Sequence, residues 1–274
     1  MAKIMNIPTE LYELLPSDKE CLQSVDRRLS LIDGHKVKNV YPNEIGKPLT
    51  PRTVFRFQVY LQVVLHRVHD LSNSIINCVK NKQVASAFIL LRALNENTSV
   101  IYDANRRLDV LISSGDFKSI FKLIFNLQYG TRIPDRIDEA VEDEGKKCEE
   151  ATSKYSDNDV REAFTAQQIL NVLDRISKDI PAHRGIYEYL CEYAHPNYDG
   201  LMGLYTKWID KFSVEISTDI SYTEHTVSRI FVSLDIFLGM FIEGHNGIVN
   251  KYPEIKTLSI EDLKQQGEDI SAYE

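Results

Sequence analysis

Charged side chains interrupt a segment of this 274-residue sequence that is otherwise apolar on nearly every side. Arg92 and Glu96 stand one helical turn apart within residues 87–97, and Ser99 and Asp103 continue the same face. A charged pair inside a helical bundle loses its hydration, and hydrogen bonds or ion pairing must offset the free energy lost. The pattern predicts either an ion pair that fixes helix register or an Arg and a Glu that face a polar pocket.

A second group of polar residues precedes Pro196. Arg184, Glu188, Glu192 and His195 recur at spacings of four, four and three, which places them on one helical face. Because proline disfavours helical backbone at the residue before it, we expect the helix to end at His195. The helix dipole and Glu192 would then both favour the protonated imidazole. The pattern predicts either an acid–base pair or a histidine that caps the helix. Three tyrosines of the same helix are expected to pack against neighbours: Tyr187, Tyr189 and Tyr193.

Other residues give weaker indications of a site. His66, His69 and Asp70 share a helical face but match no metal-ligand motif, so we predict neither a bound metal nor a cofactor. Asp235 is a single charge in an apolar helix, and we expect it to pair with an arginine of a neighbouring helix, Arg92 being one candidate. The motifs of P-loop, Rossmann, serine-hydrolase and zincin proteins are absent.

Helical periodicity dominates the elements that must hold these residues. Thr50-Pro51 marks a helix start, and about 30 residues with an apolar stripe follow it. Similar stripes predict helices over residues 84–112 and 222–249, and Asp116 is expected to cap a shorter helix. Only residues 212–216 alternate with period two, which favours a short strand or an extended loop. The sequence thus predicts an all-α fold, a bundle of about four long helices with shorter accessory helices.

Composition divides the chain into three segments. We expect short helices and a loop in residues 1–50, the main bundle in residues 51–250 with an acidic insertion near 131–164, and an acidic tail with little core-forming capacity in residues 251–274. Residues 138–162 carry ten acids and four bases. Such a charge run is typical of a solvated face, and it could also dock a protein partner.

Net charge and cysteine spacing restrict the class of function. With 32 Lys+Arg against 40 Asp+Glu the net charge is −8, which argues against a protein that coats nucleic acid or anionic lipid. Residues 138–162 and 252–274 hold −6 and −4 of this charge, so the remainder carries +2 and leaves a local RNA or nucleotide ligand open.

Nothing in the sequence suggests export or a membrane span. The four cysteines lie more than 40 residues apart, which is typical of reduced intracellular thiols. The N-terminus lacks the apolar core of a secretory signal. The most apolar stretch, residues 230–242, is shorter than the roughly 20 residues that span a bilayer. We therefore predict a cytoplasmic protein.

Two segments together resemble a bacterial family of uncharacterised function. They are residues 90–96 (LLRALNE) and 189–197 (YLCEYAHPN), which look like the L-R-x-x-x-E helix and the S-E-x-x-H-P helix end of that family. Cys191 stands where the family has serine, and the resemblance covers about residues 51–250. These proteins are similar in helical layout to the HEPN (higher eukaryotes and prokaryotes nucleotide-binding) group. That likeness implies a four-helix core, frequent dimerisation and, in some branches, metal-independent RNA cleavage.

The resemblance also indicates which residues to compare. It implies a shared polar site at Arg92, Glu96, Glu192 and His195. The RNA-cleaving branches use an Arg and a His that are separated by four to six intervening residues at one helix end. The only pair at this spacing here is Arg28 and His35, and Asp33-Gly34 between them predicts that they do not share a helix.

Three functional hypotheses follow. The first is a bacterial, cytoplasmic, homodimeric protein that binds a nucleotide or RNA, or regulates a process such as defence. The second is a metal-independent ribonuclease or nucleotidyl-type enzyme, with His195 as acid–base and Arg92 steadying a phosphate. The third is a pure protein-interaction module that docks through residues 138–162.

Overall fold

The computed structural model describes residues 6–42, 48–139 and 157–273. Within them the backbone is almost wholly helical, so the prediction of an all-α fold is confirmed. The helices are α1 (Thr9–Leu14), α2 (Lys19–His35), α3 (Arg52–Lys80), α4 (Val84–Ser114), α5 (Phe117–Tyr129), α6 (Asp157–Phe164), α7 (Ile169–Ile176), α8 (Ala182–Ala194), α9 (Glu224–Asn250) and α10 (Tyr252–Gln266).

A short insertion without an α-helix of its own separates α8 from α9. It begins with a π-helical turn (Tyr198–Gly203) and continues with the antiparallel strands β1 (Thr206–Trp208) and β2 (Val214–Ile216). The period-two pattern of residues 212–216 therefore marks a real strand, although its partner β1 carries no such pattern.

The chain forms two compact units, each assembled from three separate stretches. Unit 1 comprises Met1–Lys36, Val64–Tyr102 and Leu173–Glu243, and unit 2 comprises Val37–Val63, Asp103–Val172 and Gly244–Glu274. The segments 1–50, 51–250 and 251–274 expected from composition thus follow the order of elements along the chain and not these units.

The core of unit 1 is built from apolar stripes of α2, α3, α4, α8 and α9. Fully buried members include Leu22, Val25, Leu29, Val68, Ile75, Leu91, Leu94, Leu190, Phe231 and Phe237. Their three- and four-residue spacings place them on one side of each helix. Burial of each such side chain stabilises the fold by about 1.5–3 kcal/mol, so this stripe determines which face of each helix turns inward.

Helix ends follow the local chemistry of the sequence. The carboxylate of Asp116 accepts a hydrogen bond of 3.0 Å from the backbone N–H of Ser119, as expected for the cap of α5. A three-residue turn connects α3 and α4, and Lys82 in it has a left-handed φ of 58°. Unit 2 contains a helix where a tail was expected. Residues 252–266 form α10, which buries Ile255 and Leu263, so the expectation of little core-forming capacity is wrong there.

By length and composition α9 could cross a membrane. The helix is 27 residues long and extends well beyond the apolar stretch 230–242, so the prediction that this segment is too short to span a bilayer is wrong on length. Its largest apolar side chains, such as Phe231 and Phe237, are fully buried inside the protein. Buried residues make up 44% of the most apolar part of α9, and the cytoplasmic location stays a prediction.

Candidate functional site

Arg92 and Glu96 meet the side chain of Tyr187 in unit 1. Nη2 of Arg92 donates to the Tyr187 hydroxyl at 3.2 Å, and that hydroxyl donates to Oε1 of Glu96 at 3.1 Å. Nε of Arg92 lies 3.4 Å from the same carboxylate oxygen, and the guanidinium stands 5.4 Å from the centre of the Tyr187 ring. We call these three residues the Arg92 cluster. The Tyr187 hydroxyl of α8 contacts both members of the Arg92–Glu96 ion pair of α4, so the cluster links the two helices.

The electrostatics of the cluster keep both the arginine charged and the tyrosine neutral. Partial burial opposes the charge of Arg92, but the Tyr187 hydrogen bond and nearby negative charge outweigh it and raise the pKa of the guanidinium. Burial raises the pKa of Tyr187 as well, although Arg92 opposes this rise. The phenol therefore stays protonated and able to donate to Glu96 at neutral pH.

The orientation of α8 separates the predicted site residues Glu192 and His195 from Arg92 and Glu96. Its buried face carries His183, Tyr187 and Leu190, whereas Glu192 and His195 are exposed. In the part of the chain that the structure describes, no hydrogen bond or ion pair joins Glu192 or His195 to the Arg92 cluster. A helix turns 100° per residue, so Glu192 lies about 140° around α8 from Tyr187, away from the side that meets α4.

Glu192 instead helps to close the C-terminal end of α8. Its carboxylate accepts a hydrogen bond from Nδ2 of Asn197, and Oδ1 of Asn197 accepts one of 2.9 Å from the backbone N–H of Gly200. His195 is the C-cap, in extended conformation, with its N–H bonded to the carbonyl of Cys191 at 3.1 Å. The predicted helix end at His195 is therefore confirmed. A Cβ at Gly200 would overlap the His195 carbonyl oxygen, so this turn requires glycine.

Arg184 is held by charges on the outer face of α8. Its Nε lies 2.8 Å from Glu188 and its Nη1 lies 2.7 Å from Asp174. Its side chain is 31% exposed, nearly the same as the 29% of Arg92. Each arginine thus has its own Glu one helical turn later. Of the two, only Arg92 contacts a tyrosine.

Two further tyrosines of α8 pack against aromatic and cationic side chains of neighbouring helices. The ring of Tyr193 stacks on Phe88 of α4 at 4.4 Å between centroids, and Tyr189 meets Phe88 edge-on at 6.1 Å. Arg229 of α9 lies 4.7 Å from the centre of the Tyr189 ring and donates to its hydroxyl. These contacts agree with the expected packing role of the tyrosines and add a second cation–aromatic pair.

A buried polar group beneath the Arg92 cluster was not predicted from the sequence. The hydroxyl of Ser99 contacts Nε2 of His183 at 2.8 Å and donates to Oδ1 of Asn95 at 3.0 Å. Nδ1 of His183 and Nδ2 of Asn95 are buried without a partner, and burial lowers the pKa of His183. His183 follows Pro181 at a helix start, and only its spacing of four residues to Tyr187 could have indicated an inward position.

Asp235 pairs with Arg28 of α2 and not with the suggested Arg92. Nη1 of Arg28 lies 3.1 Å from Oδ1 of Asp235 and also donates to the Asp235 carbonyl oxygen. The guanidinium lies against Gly239, where a Cβ would come within 2.5 Å of Nη1. An arginine from a neighbouring helix was predicted correctly, but the choice of Arg92 was wrong, since that guanidinium is already held by Glu96 and Tyr187.

The expectation that Arg28 and His35 do not share a helix is also wrong. Helix α2 continues through Gly34 and ends at His35. Seven residues amount to nearly two full turns, so the two side chains project from the same face. Arg28 is nevertheless bound to Asp235.

His69 takes part in a small charged group on α3 in unit 1. Its Nδ1 lies 3.1 Å from Nζ of Lys36, and its Nε2 lies 3.6 Å from Asp33. Burial and Lys36 lower the pKa of His69. Within the described ranges no group of three or more His, Cys, Asp or Glu side chains could hold a metal ion.

The acidic insertion is described only at its ends. Residues 140–156 lie outside the described residues, so the predicted docking role of residues 138–162 stays a prediction. At the ends, Arg161 pairs with Asp138 at 2.6 Å, and Lys122 of α5 pairs with Asp159 and Glu162 at 2.7 Å each. Part of this charge run is thus neutralised locally in unit 2.

The β1–β2 hairpin presents apolar side chains to solvent, and we call residues 206–216 the apolar arm. Phe212 is 96% exposed, Ile216 75% and Trp208 58%. The tip is ordered by Asp210, whose carboxylate accepts a hydrogen bond of 2.7 Å from the Phe212 N–H. The hydrogen-bonded turn therefore holds Phe212 in an exposed position.

No protein-family model, no curated protein sequence and no solved structure matches the chain. The class that the fold defines is an all-α protein with one short β-hairpin in its described residues.

Proposed function

We propose that the chain is a binding protein without catalysis of its own, and that the Arg92 cluster holds a phosphate group of a nucleotide or RNA. The observation that carries this proposal is the partly exposed guanidinium of Arg92, fixed by Glu96 and Tyr187 on one side. The resemblance to a nucleotide-binding helical group supports the same ligand class.

A guanidinium binds phosphate through parallel N–H donors in a rigid fork. Glu96 faces Nε of Arg92 and Tyr187 takes one donor of Nη2. No hydrogen bond within the described residues occupies Nη1, so donors remain for a ligand. Because the fork is held before a ligand arrives, little side-chain ordering is lost on binding.

Catalysis has less support at this position. A general base must lie within hydrogen-bond reach of the proton that it moves. His195 is exposed at the end of α8, and no described hydrogen bond or ion pair connects it with Arg92. A binding or regulatory role in the bacterial cytoplasm, as in a defence system, remains part of the proposal.

The test is a titration of fluorescently labelled single-stranded RNA and of labelled nucleotides, read by anisotropy. We expect Arg92→Ala, and also Arg92→Lys, to weaken binding at least about tenfold because both remove the fork. Arg184→Ala is the matched control, since its guanidinium has similar exposure and an equivalent Glu neighbour. Unchanged affinity in the Arg92 variants, or an equal loss in Arg184→Ala, would overturn the proposal.

A metal-independent ribonuclease is the second candidate. One observation favours it: α2 is continuous, so Arg28 and His35 share a helical face. Incubation of labelled RNA with the protein in EDTA, beside His35→Ala and His195→Ala, tests it. Cleavage lost in His35→Ala would support the Arg28–His35 pair of α2, and cleavage lost in His195→Ala would support His195 as the acid–base group. Equal RNA decay in all three proteins would exclude both.

A further inference from the structure

The apolar arm has one apolar face and one charged face. Cross-strand pairing sets Thr206 opposite Ile216 and Trp208 opposite Val214, whereas Lys207 is opposite Glu215. Because side chains alternate across a strand, the first two pairs share one face and the third lies on the other. The apolar face thus carries no charge, and the charged face is neutral overall.

A two-stranded hairpin of this kind is marginal in water by itself. Isolated hairpins need a further strand or a covering layer to be stable. Within the described chain β1 and β2 form a sheet of two strands only, and all three residues of β2 are exposed. The hairpin therefore lacks the partner that would bury its apolar face.

The exposed area has the size of half an interface. An aromatic side chain covers about 150–250 Å², so Trp208 and Phe212 together expose roughly 300 Å². Val214 and Ile216 are also exposed, and the apolar face together with the tip then presents roughly 500 Å² of apolar surface. This lies in the upper part of the range for the largest apolar patch on a monomer, about 300–600 Å². Two such patches in contact would remove about 1,000 Å², the size that a small specific interface needs.

Charge separates the candidate occupants. The chain carries −8 overall, which opposes approach to an anionic membrane, and it opposes a second copy mainly where like charges come within about 10 Å of each other. Contact between two apolar faces brings no like charges together, because Lys207 and Glu215 point the other way. Pairing of two β2 edges about their centres would instead set Glu215 against its own copy. Face-to-face contact with a second copy is also symmetric, the commonest arrangement in oligomers.

From these observations we infer that the apolar arm is a homodimer interface, in which the faces bearing Trp208, Val214 and Ile216 of two copies pack together. Phe212 at the tip extends this contact. The inference does not depend on the Arg92 cluster, and either proposal can fail alone.

Sedimentation equilibrium and tryptophan fluorescence of the full chain test the inference together. Trp208 is the only tryptophan in the sequence, so its emission reports the arm alone. We expect the mass to rise from 31.5 kDa to twice that value with concentration. Emission should move to shorter wavelength and acrylamide quenching should fall over the same range, because dimerisation buries the indole.

Two variants link the dimer to the arm. Ile216→Lys places a charge on the apolar face and should raise the concentration for half-association at least about 30-fold, as for a central interface residue. Val110→Lys is the control, since Val110 is 69% exposed on α4, and it should dimerise as the natural chain does. A second arm variant, Phe212→Ser, guards against a folding defect in Ile216→Lys.

Each other outcome overturns the inference. A chain that stays monomeric at every concentration would do so. A dimer in which acrylamide still quenches Trp208 as strongly as in the monomer would also do so, because its interface would lie elsewhere. Vesicles of neutral and of anionic phospholipid provide a further comparison. If a monomeric chain shifts its Trp208 emission only with vesicles, the arm is a lipid-binding surface and not a homodimer interface.

Discussion

Gly239→Ala is the most direct test of how α2 is attached to α9 in unit 1. The glycine lies beneath the guanidinium of Arg28, and a Cβ there would be 2.5 Å from Nη1 and 2.9 Å from Cζ. The guanidinium would have to leave, which would break its ion pair and its hydrogen bond with Asp235.

The expected change in the free energy of unfolding on Gly239→Ala is the sum of opposing contributions. Alanine is favoured over glycine inside a helix by about 0.8–1 kcal/mol. A hydrogen bond to a charged group contributes about 1.5–3 kcal/mol, which must be reduced because the Arg28 and Asp235 side chains are 32% and 24% exposed. The ion pair adds to the loss, and we expect net destabilisation of about 1 kcal/mol. Gly185→Ala in α8 meets nothing within 4 Å and should stabilise by about 0.5–1 kcal/mol.

Differential scanning calorimetry separates the two effects. The same chemical change should lower the Tm at position 239 and raise it at position 185, with a difference of about 4–8 °C for roughly 2 kcal/mol in a protein of this size. In an Arg28→Met background the steric conflict disappears, so Gly239→Ala should there raise the Tm. Stabilisation by Gly239→Ala in the natural chain, or no change of sign in the Arg28→Met background, would refute the reasoning.

Two further predictions concern titratable groups. Burial lowers the pKa of His183 in the folded state, so its share of stability is complete above the unfolded pKa near 6.5 and is lost as the pH falls below that value. Urea unfolding at about pH 7.5 and about pH 5.5 should therefore show a smaller pH dependence in His183→Gln than in the natural chain; an identical dependence would contradict the assignment. Asp116→Ala removes the cap of α5 and should lower the free energy of unfolding by about 1 kcal/mol, whereas Asp116→Asn should lose much less. Equal losses in these two variants, measured by the same urea titration, would argue against a capping role.

The fold was largely predictable because local chemistry determines most of it. The stripe in residues 84–112 gave a helix that the structure extends only to Ser114, and Asp116 gave a cap that is confirmed. Helix α10 was missed because it is mostly polar. Its few apolar residues, such as Ile255, are buried by tertiary packing, which overrides weak local patterns.

The candidate site was predictable only in part. Spacing alone placed Arg92 and Glu96 on one face, and they do interact. Spacing could not show which face of α8 turns inward, because both sides of that helix carry polar residues. The inward tyrosine, Tyr187, therefore takes the place expected for Glu192 and His195. Likewise the partner of Asp235 comes from Arg28, 207 positions away in the chain, a distance that no local pattern reports.

The turn after α8 has a consequence for divergence among chains that share this fold. Glu192, Asn197 and Gly200 hold one another through their own side chains and backbone, and none of these contacts involves the residues of the apolar arm. Substitutions in the arm can therefore accumulate without loss of the turn, while any side chain at Gly200 collides with the His195 carbonyl. We expect relatives to share the pattern E-x-x-H-P-N-x-x-G and to differ widely in the sequence that follows it, so that the surface used for self-association can change while the scaffold stays the same.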